Sequence, residues 1–360
     1  MLHVLAWILA FAAFAALLGA LYQVLGSRRD AKLYPPPGKL LDIGTHRLHL
    51  LESGRPGPAP TLVLEAGLMS TVLSWSSLQL ELSKSFHVVS YDRAGLGWSD
   101  LGPMPRTADR IVDELHTLLE KASIPPPYIL VGHSFGGLTV PVFAARFPNE
   151  VAGMVLVDPV APGEWNPPPD HDLKQTRIGA KVCRRSAILA HIGVIRLIAT
   201  LLTTRARNAA AHLVRLISRG TPGNAGSVSS PWFAALPENE KAMAAVFWVQ
   251  SKLALTIASQ LENLPASALR AAQLPNPFDK PVVVISASTA SERRRNGHAA
   301  MAKLLPLGNH IVASNSNHWI MQEESRLVLS AIQDVANRAQ KATESTTRNS
   351  LASKSHAGAL

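Results

Sequence analysis

Apolar and polar residues alternate with two different periods along most of the chain. Short apolar runs such as Thr61–Glu65 and Val151–Val157 predict buried strands. In Thr107–Ala122 the apolar residues fall on one helical face, which predicts an amphipathic helix. Strands that alternate with helices are typical of a mostly parallel sheet covered on both faces, so the pattern predicts a doubly wound α/β fold. The other predicted strands are Leu40–Ile43, His46–Glu52, Phe86–Tyr91, Tyr128–Gly132, Pro281–Ala287 and His310–Ser314, and the other predicted helices of this domain are Val72–Lys84, Phe135–Phe147 and Ser325–Ala339.

The alternation is interrupted between Val157 and Pro281, where no convincing strand occurs. Ile188–Leu202, Ala206–Ile217 and Glu238–Leu261 have helical spacing instead. We therefore predict a core formed by residues 39–160 and 276–340, with a helical cap inserted at 161–275. Residues 341–360 are rich in Ser, Thr, Ala and Lys without apolar periodicity, which predicts a disordered tail.

The N-terminal segment Val4–Leu25 contains no charged side chain. As a helix its 22 residues would extend about 33 Å, enough to cross a bilayer core. A secretory signal is the alternative, although its apolar region is normally shorter and preceded by basic residues. We predict a single-pass anchor at 4–25 and a Pro-rich linker at 26–38; cleavage of the segment is left open. The basic residues Arg28, Arg29 and Lys32 slightly favour a cytoplasmic catalytic domain.

The positive charge of the chain is confined to one segment. The 360 residues include 35 Lys and Arg against 25 Asp and Glu, a formal net charge of +10. Leu173–Pro237 contains no acidic residue, and outside it the charges balance, so we expect no nucleic-acid partner. This basic and apolar cap either contacts anionic lipid or simply covers an active site. Its basic residues are Lys174, Arg177, Lys181, Arg184, Arg185, Arg196, Arg205, Arg207, Arg215 and Arg219.

Gly132–Gly136 matches the pattern G-x-S-x-G. A predicted strand precedes it and a predicted helix follows, as a nucleophile elbow requires. Small residues at both flanks tolerate the sharp turn that exposes the serine. The pattern therefore predicts Ser134 as a nucleophile.

A serine nucleophile needs a base and an oxyanion hole. His318 follows the last predicted strand and is the expected base, with His310 in reserve. The expected oxyanion donors are the backbone N–H groups of Phe135, directly after the nucleophile, and of Leu68, in the loop that follows Thr61–Glu65.

Five short motifs follow one another along the chain: the spacer Pro35–Gly38, the E-A-G loop Glu65–Gly67, the Y-D-R-A-G-x-G turn Tyr91–Gly97, the G-H-S-x-G-G elbow Gly132–Gly137 and the L-V-D-P step Leu156–Pro159. With them the chain resembles the α/β-hydrolase superfamily, most closely bacterial members of the proline-iminopeptidase-like and esterase-like type. The likeness extends from about Pro37 to Asn337. It implies an α/β-hydrolase fold with a helical cap, and catalytic residues in the order Ser, Asp, His.

The acid of this triad departs from the usual pattern of the superfamily. The resemblance places it after the strand Pro281–Ala287, but that loop contains Glu292 and no Asp. Some members carry the acid one strand earlier, where Asp158 stands at the end of Val151–Val157. We favour Asp158 and keep Glu292 as the alternative.

These residues predict a serine hydrolase that cleaves a small or medium-sized apolar ester through an acyl-enzyme. The catalytic residues would be Ser134, His318 and Asp158, with no metal and no cofactor. Hydrolysis of an amide, such as an N-terminal proline peptide, is one alternative. A non-catalytic binding protein on the same fold is another. The sequence does not determine the oligomeric state.

Overall fold

The computed structural model describes residues 1–165, 167–202, 233, 236–273 and 278–357. Within these residues the core is one eight-stranded sheet in the order β1-β2-β4-β3-β5-β6-β7-β8. Strands β1 and β2 pair antiparallel with their neighbours, whereas all pairs from β4 to β8 are parallel. The strands are β1 Lys39–Asp42, β2 Arg47–Ser53, β3 Thr61–Glu65, β4 Val88–Asp92, β5 Tyr128–His133, β6 Val151–Val157, β7 Val282–Ser286 and β8 Gly308–Val312.

The central strands are apolar throughout because both faces of the sheet are covered. Successive side chains point to opposite faces, so Leu130 of β5 packs in one hydrophobic cluster while Ile129 and Val131 pack in the other. The core helices that cover these faces are α2 Ser76–Leu82, α3 Ala108–Lys121, α4 Gly136–Arg146, α10 Glu292–Lys303, α11 Ile320–Glu323 and α12 Ser325–Ala357. The α/β-hydrolase fold predicted from the sequence is confirmed.

Helix α12 extends into the segment that we expected to be disordered. It continues to Ala357, because residues 325–357 contain neither Gly nor Pro and the Gln340 side chain donates a hydrogen bond to Glu344. The structure therefore has helix at residues 341–357, where we expected disorder.

The described part of the cap is helical, but its helices begin and end elsewhere than we expected. Helix α5, Asp170–His191, begins at Asp170 rather than near Ile188. Gly193, with a φ of +74°, separates it from α6, Val194–Leu202. Only glycine adopts such a backbone angle without strain, so the apolar periodicity did not reveal the break. The predicted helix Ala206–Ile217 lies outside the described residues. The cap helices are α5 Asp170–His191, α6 Val194–Leu202, α7 Glu238–Trp248, α8 Ser251–Glu262 and α9 Leu264–Ala271.

Helix α1, Leu2–Leu33, is long and apolar enough to cross a membrane. In the described part of the chain, the bent pairs α5–α6 and α7–α8 pass the same test of length and composition only if each pair is counted as one span. Residues 26–33, which we assigned to the linker, continue α1 instead, since no Gly or Pro after Gly26 ends the helix before Pro35. The following segment contacts the core, where the Trp98 indole donates to the Tyr34 carbonyl and the His49 ring pairs with the Pro37 carbonyl.

Candidate active site

The carboxyl edge of the sheet gathers the predicted site residues. Ser134 follows β5, Asp158 follows β6 and His318 lies in the loop beyond β8. Parallel strands end at the same edge, which is where sites form in such sheets. Ser134 and Asp158 both have a positive φ, of +53° and +40°. Left-handed backbone is uncommon for residues other than glycine and marks a local constraint.

Glycines allow the sharp turn at Ser134. A Cβ added to Gly132 would lie 2.7 Å from the carbonyl oxygen of Gly136, and one added to Gly137 would lie 2.2 Å from Pro159. The backbone carbonyl of Ser134 accepts hydrogen bonds from Gly137 and Val160, at 2.9 and 2.8 Å. Helix α4 therefore starts directly behind the serine, as in a nucleophile elbow.

Asp158 is the carboxylate that meets the predicted base. Its Oδ2 lies 2.6 Å from Nδ1 of His318, while its Oδ1 accepts the backbone N–H of Ala287 at 3.0 Å. Burial raises the pKa of Asp158, but the His318 hydrogen bond and Arg294 outweigh it and hold the pKa at about 2. Glu292, the alternative acid, is exposed in the first turn of α10.

The Ser134 hydroxyl makes no hydrogen bond to His318 among the described residues. Hydrogen bonds of this kind are often long in the absence of substrate and shorten in the substrate complex. The Asp158–His318 contact places the imidazole beside the elbow, since the His318 ring lies 4.6 Å from the ring of His133, the residue before Ser134.

The loop that carries Leu68 lies against the elbow. A Cβ added to Gly67 would lie 3.4 Å from Cβ of Ser134 and 3.0 Å from Nδ1 of His133. A side chain at position 67 would therefore make close contact with His133, and the glycine leaves the loop room to lie against the elbow. Leu68 follows directly, and Phe135 is buried at the start of α4. Phe135 thus follows the serine directly in the chain, while the loop that carries Leu68 approaches the serine in space.

Comparisons with known proteins agree with this architecture. A family model described as the alpha/beta hydrolase fold matches residues 60–182. The uncharacterized protein YqjL of Bacillus subtilis is 39% identical over 99 residues, which cover 28% of this chain and 39% of YqjL. The monoacylglycerol lipase ABHD6 of Bos taurus is 31% identical over 108 residues, 29% of this chain and 32% of the lipase. The similarity thus spans less than half the length of these curated relatives. The match over residues 60–182 and the hydrolases among these relatives support the resemblance to the α/β-hydrolase superfamily.

Solved structures extend the likeness of this α/β hydrolase beyond the matched segment. The crystal structure of Cfl2 from Burkholderia cenocepacia superposes with a TM-score of 0.59 and covers 83% of this chain and 95% of its own. The two sequences are 21% identical, so this comparison concerns the fold alone. The superfamily assignment made from the five motifs is confirmed.

A buried ion pair between Glu65 and Arg93 joins two of those motifs, the E-A-G loop and the Y-D-R-A-G-x-G turn. The Arg93 guanidinium lies 2.5 Å from Glu65 and also donates to the carbonyls of Ala66 and Gly67. Tyr91 donates to the same Glu65 carboxylate. Burial raises the pKa of Glu65, and Arg93 opposes that rise. Through the carbonyls of Ala66 and Gly67, Arg93 thus holds the loop that contains Leu68. The sequence showed the E-A-G and Y-D-R motifs, but not that their side chains pair.

His133, a variable position of the elbow motif, also contributes to the site. Its Nε2 lies 2.8 Å from the main-chain carbonyl of His318, and its ring packs against Trp319 with centroids 4.9 Å apart. Burial lowers the pKa of His133 well below its ordinary value, so the ring is neutral. Since Nε2 faces a carbonyl, it carries the proton and donates. His133 therefore positions the backbone of His318.

Arg294 is a second residue that the sequence did not single out. It donates to the carbonyls of Asp158 and Pro159 at 3.0 and 3.2 Å, and lies 3.7 Å from the Asp158 carboxylate. The first turn of α10 thus supplies a cation beside the acid. His310, the reserve base, pairs instead with Ser286 at 2.8 Å.

The described residues contain no group of three or more His, Cys, Asp or Glu side chains arranged to hold a metal ion. Cys183 lies in the cap, where burial raises the pKa of its thiol. Its surroundings favour the protonated, unreactive form.

Proposed function

We propose that this protein is a membrane-anchored serine hydrolase that cleaves carboxylic esters. The observation that carries the proposal is the 2.6 Å contact between His318 and Asp158 beside the strained elbow of Ser134. A carboxylate on one ring nitrogen of a histidine leaves the other nitrogen free to act as a base. The resemblance to the α/β-hydrolase superfamily supports the same chemistry.

In this mechanism His318 removes the proton of the Ser134 hydroxyl as the oxygen attacks the ester carbonyl. Asp158 holds the imidazole in the required tautomer and stabilises its positive charge. The N–H groups of Phe135 and Leu68 stabilise the oxyanion. The alcohol leaves with the proton from His318. Water, deprotonated by His318, then releases the carboxylic acid from Ser134.

The substrate is an ester with an apolar part. Leu68 packs against Leu253 and Ile257 of the cap, so the oxyanion loop is covered by apolar side chains. The name of the similar monoacylglycerol lipase also favours an ester over an amide. Turnover of an N-terminal proline amide, with no turnover of esters, would contradict this choice.

Labelling with a fluorophosphonate, which reacts with activated serines, tests the proposal. We expect the full chain to be labelled and Ser134→Ala to lose all labelling. Ser85→Ala, which removes an exposed serine before β4, is the matched control and should be labelled like the parent. Equal labelling of the parent and Ser134→Ala would contradict the assigned nucleophile, and an unlabelled parent would favour the non-catalytic alternative.

Helix α1 anchors this enzyme, and the basic residues Arg28, Arg29 and Lys32 favour a cytoplasmic catalytic domain. Fusion of reporter enzymes to the C-terminus tests the orientation. Activity of a reporter that works only outside the cytoplasm would reverse it.

A further inference from the structure

The second half of the anchor helix packs against the cap at backbone distance. A Cβ added to Gly19 would lie 2.2 Å from the Ile192 carbonyl oxygen, and one added to Gly193 would lie 2.3 Å from the carbonyl oxygen of Gly19. A Cβ on Gly26 would lie 2.7 Å from the Arg196 side chain. Small residues at these positions let α1 pass directly over the turn between α5 and α6.

Polar side chains join the two elements along one face of α1. Gln23 is only 8% exposed; its amide donates to the Val249 carbonyl at 3.1 Å and accepts from Arg196 at 3.0 Å. Arg196 also lies 2.7 Å from Asp30 and donates to Ser27 at 3.3 Å. Buried polar groups in or near a membrane span are costly unless paired, and each of these has a partner across the contact. We call this set, Gln23, Ser27, Asp30 and Arg196, the anchor–cap clamp.

The clamp sets the height of the cap relative to the bilayer. Gly19 precedes Leu25, the end of the uncharged run, by six residues, or about 9 Å along a helix. With Val4–Leu25 across the bilayer core, the α5–α6 turn therefore lies level with the last turns of the span. Helix α6 has the sequence VIRLIATLL, apolar apart from Arg196 and Thr200.

Exposed apolar side chains lie close along the chain to residues of this contact. Ile188 is 65% exposed, Leu197 47% and Trp248 41%. Trp248 directly precedes Val249, the residue that accepts from Gln23. Large apolar side chains next to a membrane span, with exposed Arg28, Arg29 and Arg185 nearby along the chain, are typical of a surface that enters the lipid interface. We call Ile188, Leu197 and Trp248 the collar.

The cap helices that contact the anchor also enclose the active site. Cys183 of α5 packs in the cluster that contains Leu68, and it precedes Ile192 by nine residues, about 14 Å along the helix. On the other side, Trp319, next to His318, packs in the cluster of Phe247 in α7. Ile188 of the collar lies five residues after Cys183, and Trp248 directly follows Phe247. The cap helices that line the site thus continue to the collar.

We propose that the collar is inserted into the bilayer surface and that the enzyme takes long-chain esters of membrane lipids directly from the bilayer. This inference rests on the proposed function, whose substrate class it specifies. The acyl chain reaches Ser134 along the apolar underside of the cap, without crossing water. Hydrolysis adds one water across the ester C–O bond and yields a fatty acid and an alcohol.

The position of the collar is tested without reference to activity. In the full chain carrying Cys183→Ala, Leu197→Cys and, separately, Leu304→Cys provide sites for an environment-sensitive dye. Leu304 is 77% exposed at the end of α10 and serves as the control. In vesicles of phosphatidylcholine with a minority of phosphatidylglycerol, nitroxide-labelled lipids should quench the dye at 197 and leave the dye at 304 unchanged. Equal quenching at both positions would overturn the insertion.

The substrate class is tested with the double variant Ile188→Glu/Leu197→Glu. We expect turnover of a palmitoyl ester embedded in the vesicles to fall about tenfold or more, since charges prevent apolar contact with the lipid. Turnover of a water-soluble butyryl ester and fluorophosphonate labelling should equal those of the parent, as should both activities of the control Leu304→Glu. Unchanged turnover of the embedded ester would overturn the inference while leaving the proposed function standing. A parent that neither labels nor hydrolyses the butyryl ester would instead refute the proposed function.

Discussion

Two regions of the molecule bury an arginine–carboxylate pair, and they use it differently. At the edge of the sheet, Arg93 and Glu65 have side chains that are 2% and 1% exposed and lie 2.5 Å apart. At the anchor–cap clamp, Arg196 and Asp30 are 10% and 13% exposed and lie 2.7 Å apart. The first pair joins the ends of β3 and β4 and holds the loop that carries Leu68. The second joins two helices whose pairing no local motif indicates.

The difference shows how position in the fold decides the role of a charge pair. Fully buried charges are costly to separate, so Arg93 holds its loop in one conformation. The Arg196–Asp30 pair is also buried, but it joins α1 to α6 outside the sheet, so it sets the position of the cap rather than the stability of the core.

The largest expected effect is on the carboxylate that serves chemistry directly. Asp158→Asn leaves an amide beside Nδ1 of His318 and favours the wrong tautomer, so kcat should fall on the order of 10⁴-fold. Glu292→Gln, the matched change at the exposed alternative, should leave kcat unchanged. Steady-state hydrolysis of the butyryl ester measures both. A large loss of kcat in Glu292→Gln with none in Asp158→Asn would assign the acid of the triad to Glu292 instead.

The next effect is on stability in the sheet region. Arg93→Met leaves the Glu65 carboxylate buried without its counter-charge, which typically costs about 3–5 kcal/mol. Urea unfolding of the full chain in detergent measures the change in the free energy of unfolding. Arg55→Met, at an exposed position before β3, is the control. Similar unfolding curves for the two variants would show that the pair does not hold the loop as we describe.

The smallest effect is expected at the clamp. Arg196→Met removes charge-assisted contacts that join α1 to α6 outside the sheet, so the loss should remain local. We expect amide hydrogen exchange in α6 to accelerate about tenfold, equivalent to about 1.4 kcal/mol, while exchange in β5 and β6 is unchanged. Arg185→Met, an exposed change on α5, should leave both regions as in the parent. Acceleration across the sheet strands as well would remove the distinction between the two pairs.

Much of the core could be predicted because its signals are local. Each strand is a short apolar run, and the elbow is a contiguous motif between a strand and a helix. The acid could not be chosen in this way, since both Asp158 and Glu292 follow strands of the same sheet. In the structure β6 lies beside β7, with Val157 opposite Ile285, and Asp158 turns toward the loop of His318. Glu292 instead begins helix α10 and faces solvent.

The cap and the anchor were predicted less well, because their limits depend on contacts between distant parts of the chain. The run Val4–Leu25 indicated a span, but α1 continues to Leu33, where Asp30 meets Arg196. Likewise, α5 and α6 are separated at Gly193, where the turn contacts Gly19. A polar residue in an apolar helix, here Gln23, was the available sequence signal for this contact.

By itself, the sequence predicted the strands, the elbow that carries Ser134, the position of His318 after the last strand and a helix long enough to span a membrane. These follow from short-range periodicity and from motifs whose residues are neighbours in the chain. Only the tertiary structure decided that Asp158 meets His318, that Arg93 holds the oxyanion loop and that the anchor clamps the cap. These pairs lie far apart in sequence, and their interaction depends on distances that exist only once the sheet and the cap have packed.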